Sequence, residues 1–198
     1  MAHHGKRGRR RAGGAGFTLI ELMIVVAIVG VLALLGGYGL RQYLASAKTA
    51  EATNALGLMA SDAVAEYERE GMAASVLATT TSSSLSRHFC LSASASVPSS
   101  PASIQGRKYQ STRADWTVDE AGNSGFACLK FTMDTPQYYM YSYDVSGAGA
   151  AAGNTFAAIA QGDLNGDGVL SLYQVTGAIS SSMVVNLAPN VLVVRPYD

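Results

Sequence analysis

The chain has 198 residues, with 14 lysines and arginines against 14 aspartates and glutamates. A formal charge of zero argues against a basic nucleic-acid binder or an acidic tail. Its 48% apolar and 14% charged content is poor in charge beside the ~25% usual in soluble domains. The length suits one ordinary domain with an appendage.

That zero conceals segregated charges. Lys6, Arg7, Arg9, Arg10 and Arg11 precede the first long apolar run with no acid among them. The 182 residues from Phe17 onward hold 9 basic and 14 acidic side chains, a net of −5. Such asymmetry predicts segments with different fates.

From Phe17 to Leu40 there are 24 residues with one charge, Glu21. As a helix they would span roughly 36 Å, enough to cross a hydrocarbon core of about 30 Å. The run has no polar face, which a core helix would normally show. Basic residues flank only its N-terminal side, so that end stays cytoplasmic and the rest is exported. A secretory signal peptide would place its small residues after the apolar region, whereas Gly13, Gly14, Ala15 and Gly16 come before it. An uncleaved anchor explains the hydrophobicity and the orientation but not Glu21. A carboxylate at this depth is costly unless it has a partner.

The stretch Gly16-Phe17-Thr18-Leu19-Ile20-Glu21, continuing through Leu22 to Gly30, resembles the prepilin signature of type IV pilins and pseudopilins. The resemblance covers roughly residues 6–50. It implies that a prepilin peptidase cuts between Gly16 and Phe17 and that Phe17 is then N-methylated. It implies also that Glu21 serves assembly by pairing with the Phe17 amine of a neighbouring subunit. In apolar surroundings that pair is strong, and either charge left alone is expensive. The implied fold is α+β and pilin-like: a long N-terminal helix packed on an antiparallel β-sheet. The implied partners are other copies or other pilins in a helical polymer, the peptidase, an inner-membrane assembly platform and, before assembly, the membrane. Nucleic acid enters as a partner only where such a filament serves DNA uptake, rather than adhesion or motility. The implied location is the bacterial inner membrane with a periplasmic C-terminal domain, then a pilus or secretion pseudopilus. Many type IV pilins carry a proline near the position of Tyr38, but here the chain reads Gly36-Gly37-Tyr38-Gly39 and its first proline is Pro98. Glycines weaken a helix without removing donors, so we expect a continuous helix able to stretch or melt between Gly30 and Gly39. Close helix packing is the other use of such glycines.

The expected organisation is a leader (1–16), a hydrophobic helix (17–40), an amphipathic continuation (41–71) and a β domain (72–198). The continuation follows from Leu40, Leu44, Ala47, Leu56, Met59, Ala63 and Tyr67 at spacings of three and four, with Gly71 as a stop. Residues 73–103, rich in Ser and Thr, read as an irregular surface connection that buries little. Its hydroxyls are open to O-glycosylation or to no modification at all. Strands are expected at Gly125–Met133, Tyr138–Asp144, Thr155–Gln161, Leu170–Thr176 and Val191–Arg195, with a Gly/Ala linker at 147–153. Tyr139, Tyr141 and Tyr143 alternate onto one strand face, either core or an adhesive surface.

Cys90 and Cys128 are the only cysteines, and on the exported side they are most simply a disulfide. Metal binding with His88 is the lesser alternative. The segment from Asp163 matches much of a calcium loop: oxygen donors at Asp163, Asn165, Asp167 and Ser171, the Val169 carbonyl, and Gly168 at the sharp turn. Gln174 stands where a bidentate glutamate belongs. No cofactor is required; Ca²⁺ and an ion-free Asn-Gly/Asp-Gly turn are evenly matched readings, and the flanks predict a β-hairpin. There is no G-x-S-x-G, no phosphate loop and no dinucleotide fingerprint. A structural subunit is expected rather than an enzyme, with a membrane-anchored periplasmic binding module as the alternative of another class.

Overall fold

A computed structural model describes residues 16–69, 87–147 and 149–196. The chain divides into two units between Arg41 and Gln42. One helix, α1 (Leu19–Glu68, 50 residues), contributes to both. It is unbroken through Gly36, Gly37 and Gly39, as expected where glycine rather than proline occupies these positions.

In the first unit, every described residue from Gly16 to Gly37 is exposed. Leu19–Gly37 has mean hydropathy 2.8, so the helix is long and apolar enough to cross a membrane. In the second unit, α1 buries Ala52, Ala55, Leu56, Met59, Ala60, Ala63 and Tyr67 in the core. The spacing of three and four is that of an amphipathic helix. The predicted stripe holds from Leu56 onward. Its earlier members Leu44 and Ala47 are exposed, because sheet contact begins only at Glu51 and Ala52.

The sheet is antiparallel: β1 (Tyr139–Val145), β2 (Thr155–Gly162) and β3 (Ser171–Ile179) in that order. Two short strands, β4 (Val185–Leu187) and β5 (Leu192–Val194), share the other edge of β3, pairing with Gly177–Ile179 and Leu172–Gln174 respectively. One face carries Tyr139, Tyr141, Tyr143, Phe156, Ala158, Ala160, Tyr173 and Val175 into the same core as α1. The three tyrosines are fully buried, which makes them core rather than an adhesive surface. Burial pushes all three phenols above their usual range. β4 escaped the sequence reading because three residues are too few to establish alternation.

Gly125–Met133, expected as a strand, is instead a short helix, α3 (Gly125–Leu129), followed by irregular chain; a four-residue helix, α2 (Arg113–Trp116), precedes it. Gly125, Phe126, Cys128 and Leu129 are buried together, a pattern that alternation cannot satisfy and a helical turn can. Trp116 anchors the region, with edge-on contacts to Phe126 at 5.0 Å and Phe131 at 5.3 Å. Lys130 ends α3 in the left-handed conformation, φ 60°.

The described part of the Ser-rich connection, from Arg87, is irregular but not loose, which corrects the expectation that it buries little. Phe89, Cys90, Val97 and Pro98 are buried. Its backbone covers the free edge of β1: Ala93 N–H donates to Tyr143 O, and Val97 and Tyr141 exchange bonds of 2.9 and 2.8 Å. Burying such an edge requires that its polar groups be paired, and this segment pairs them. Gly149, expected in a plain linker, is buried at φ +72°, and a Cβ there would meet Phe89 backbone at 3.1 Å. Gly71 and Thr79–Ser84 lie outside the described residues.

Candidate functional site

The segment that carries the residues expected to serve processing and assembly begins before the helix. Gly16, Phe17 and Thr18 are non-helical, and α1 starts at Leu19. A Cβ on Gly16 would meet nothing within 4 Å, so no packing within the described chain demands glycine there. A non-helical exposed peptide is what a peptidase active site can engage.

Thr18 and Glu21 hold each other. Glu21 N–H donates to Thr18 Oγ1 at 3.3 Å, while Thr18 N–H and Oγ1–H donate to Glu21 Oε2 at 3.3 and 3.2 Å. This is a capping box, in which N-cap and third residue satisfy each other's free donors. The carboxylate also lies at the positive end of the helix dipole. Sequence reasoning missed this role for Thr18, although the signal was present as Thr-x-x-Glu before an apolar run. Phe17 is 77% exposed, so the amine that cleavage would create starts in the open, within one turn of this carboxylate.

Cys90 and Cys128 are joined, with Cα atoms 5.8 Å apart. Neither thiol is available to a metal with His88. The bond ties the connection to α3 and so to the aromatic cluster around Trp116.

The six proposed calcium donors are not brought together. Asp163, Asn165, Asp167 and Val169 lie in the loop between β2 and β3, whereas Ser171 and Gln174 belong to β3. An odd and an even strand residue point to opposite faces, so Ser171 and Gln174 cannot converge on one ion. Ser171 is buried and donates to Gly162 O at 2.9 Å; Gln174 is paired in register with Ile159 and Leu192. The loop's own amides engage the side chains of Asp163, Asn165 and Asp167. Asp163 accepts Gly166 and Gly168 N–H through its two oxygens at 2.7 and 2.9 Å. Asp167 N–H donates to Asn165, and Val169 N–H donates to Asp167. Gly166 and Gly168 adopt φ +81° and +87°, conformations that the tight turn requires. No group of three or more His, Cys, Asp or Glu side chains is placed to hold a metal among the described residues. The donor set therefore fits a self-closed hairpin loop better than a twelve-residue calcium loop.

One polar contact between α1 and the sheet went unforeseen. Half-buried Glu51 accepts Tyr138 N–H at 2.8 Å and Tyr141 O–H at 3.3 Å. Burial raises its carboxyl above the usual range, against the lowering effect of these bonds and of Lys108. Its position in a predicted helix gave no hint of which strand would face it.

Comparison with known proteins adds one match. Residues 11–37 match the family model described as the prokaryotic N-terminal methylation motif. The chain thus carries the type IV pilin and prepilin signature at its N-terminus, on the residues that the capping box and the apolar helix occupy. No curated protein and no solved structure matches the chain.

Proposed function

We propose that the chain is a structural subunit, a major or minor pilin, of a type IV pilus-like filament. The observation that carries this reading is the conjunction of the methylation motif with a helix whose apolar surface is wholly exposed from Leu19 to Gly37. An apolar surface of that extent needs lipid before assembly and other helices after it. Prepilin peptidase would cut after Gly16, Phe17 would be methylated, and an inner-membrane platform would draw subunits into the fibre. The second unit would face the periplasm first and the filament surface later. The signature marks structural subunits rather than enzymes, and nothing in the chain motivates a catalytic assignment.

A type II secretion pseudopilin shares the motif, but its particular support was a calcium-dependent head, and the hairpin geometry weakens that. A membrane-anchored binding module that never polymerises is the alternative of another class. Glu21→Val separates them. Filament incorporation should be abolished under the filament reading and membrane insertion retained. Unchanged behaviour of Glu21→Val would sink the filament reading. Mass spectrometry of the mature N-terminus tests the processing step: methylated Phe17 is expected, and an intact leader would refute it.

A further inference from the structure

The second unit holds a cavity of about 330 Å³ between α2, α3 and the chain that follows α3. Trp116 and Phe126, both buried and in edge-on contact at 5.0 Å, form its floor. Four charged side chains also line it, Arg113, Glu120, Lys130 and Asp134, all of them exposed. Two cations and two anions thus share one concavity. Among the described residues, no ion pair and no side-chain hydrogen bond engages any of these four charged groups. Lys130 adds an independent observation. It ends α3 at φ 60°, in the left-handed region that few residues other than Gly, Asn and Asp adopt. Glycine is the usual helix terminator in this conformation. A lysine keeps a charge at the cavity despite the backbone strain, and strain of this kind concentrates at functional sites.

We propose that this cavity binds a small zwitterion, an α-amino acid with an apolar side chain. Its carboxylate is met by Arg113 and Lys130, its ammonium by Glu120 and Asp134, and its side chain by Trp116 and Phe126. The balance of charge selects the class of ligand. An anion would be held by the two cations but opposed by the two carboxylates, and a cation would meet the converse. A molecule that carries both signs is matched by both pairs. Size points the same way: small-molecule sites run from about 300 to 1,000 Å³, and this cavity lies at the lower end. The floor is held in place before any ligand arrives. Trp116 also packs edge-on against Phe131 at 5.3 Å, and Cys128 in α3 is tied to Cys90. A preformed site loses less affinity to ordering on binding. Binding here does not rest on the filament reading.

Calorimetry on the full chain in detergent micelles provides the test, with L-leucine as the probe. Trp116 is the only tryptophan in the chain, so a change in its emission locates binding at this cavity. Saturable binding of L-leucine with such a change is expected. Isocaproate lacks the ammonium and isoamylamine lacks the carboxylate, and each should bind about tenfold more weakly or worse. Lys130→Gly should weaken L-leucine about tenfold and abolish its advantage over isoamylamine. The melting temperature of that variant should hold or rise, because glycine relieves the backbone at φ 60°. Glu120→Gln/Asp134→Asn should instead abolish the advantage of L-leucine over isocaproate. No saturable binding of L-leucine, or wild-type affinity in Lys130→Gly, would overturn the proposal. Isocaproate binding as tightly as L-leucine to the wild type would replace it with an anion site. A leucine-containing tripeptide binding more tightly than L-leucine would overturn it in favour of a polypeptide partner.

Discussion

Two carboxylates illustrate how environment decides what a glutamate does. Glu21 sits at a helix N-terminus, where free amides and the dipole favour negative charge, and it is already held by Thr18. Its proposed pairing with a neighbour's amine would redirect an acceptor that the monomer has in place. Thr18→Val should therefore leave α1 in the membrane but loosen its first turn, at a cost of about 1 kcal/mol. Faster amide exchange confined to that turn, measured in detergent micelles, would check this. Glu51 is the opposite case: burial raises its carboxyl, so the folded state binds the proton more tightly than the unfolded chain. The sign follows directly. Stability is greatest while Glu51 is protonated and declines as pH rises from the unfolded value, near 4.5, through the raised folded value. Glu51→Gln should lack this component, so the melting difference between variant and wild type should grow in the variant's favour as pH increases. A pH-independent difference would refute it.

At the level of elements, α1 and the β2–β3 hairpin show what glycine contributes in different settings. In α1, Gly36, Gly37 and Gly39 leave the helix intact but each weakens it by about 1 kcal/mol relative to alanine. Replacing all three with alanine should slow amide exchange across Gly30–Gly39 by about 100-fold, the equivalent of roughly 3 kcal/mol, if opening there is local. In the hairpin, Gly166 and Gly168 supply positive φ angles so that Asp163 can collect two amides. The loop amides already engage the Asp163 carboxylate without an ion. We expect the same melting temperature in millimolar calcium and in chelator; a rise with calcium would show that Asp163 and Asp167 recruit an ion. The segment around Cys128 makes the complementary point. Phe126, Cys128 and Phe131 resemble strand residues in composition, but the disulfide and the Trp116 cluster hold them in and beside a short helix off the sheet. The lone cysteine pair pointed to the disulfide, but nothing in the local composition pointed to the cluster around Trp116.

For the whole molecule, the disulfide is a covalent tie within the core of the second unit, both of its cysteines being buried there. It closes a loop of 38 residues in separation, which on the chain-entropy estimate stabilises by about 4 kcal/mol. Cys90→Ala/Cys128→Ala should lower the melting temperature accordingly while leaving α1 helical. Reduction of the wild type should give the same shift, and no shift would show that the Phe89 and Val97 contacts suffice to hold the connection. The connection covers the β1 edge, and the opposite edge is formed by two strands of only three residues each, β4 and β5. Covering one edge and keeping the other very short limits uncontrolled edge pairing.

The sequence by itself determined the features that depend on neighbours along the chain. These were the charge-free run behind Glu21, the glycines in place of proline, the alternation of Tyr139, Tyr141 and Tyr143, and the hairpin over Asp163–Gly168. Each is read from spacing alone, because helix and strand periodicities are local. Tertiary structure decided what spacing cannot carry. It placed Glu51 against β1, split Ser171 and Gln174 from the loop acids, coiled Gly125–Leu129 into a helix and laid the serine-rich connection along a sheet edge. These outcomes depend on which distant groups must be paired or buried together, and burial is a property of the folded whole.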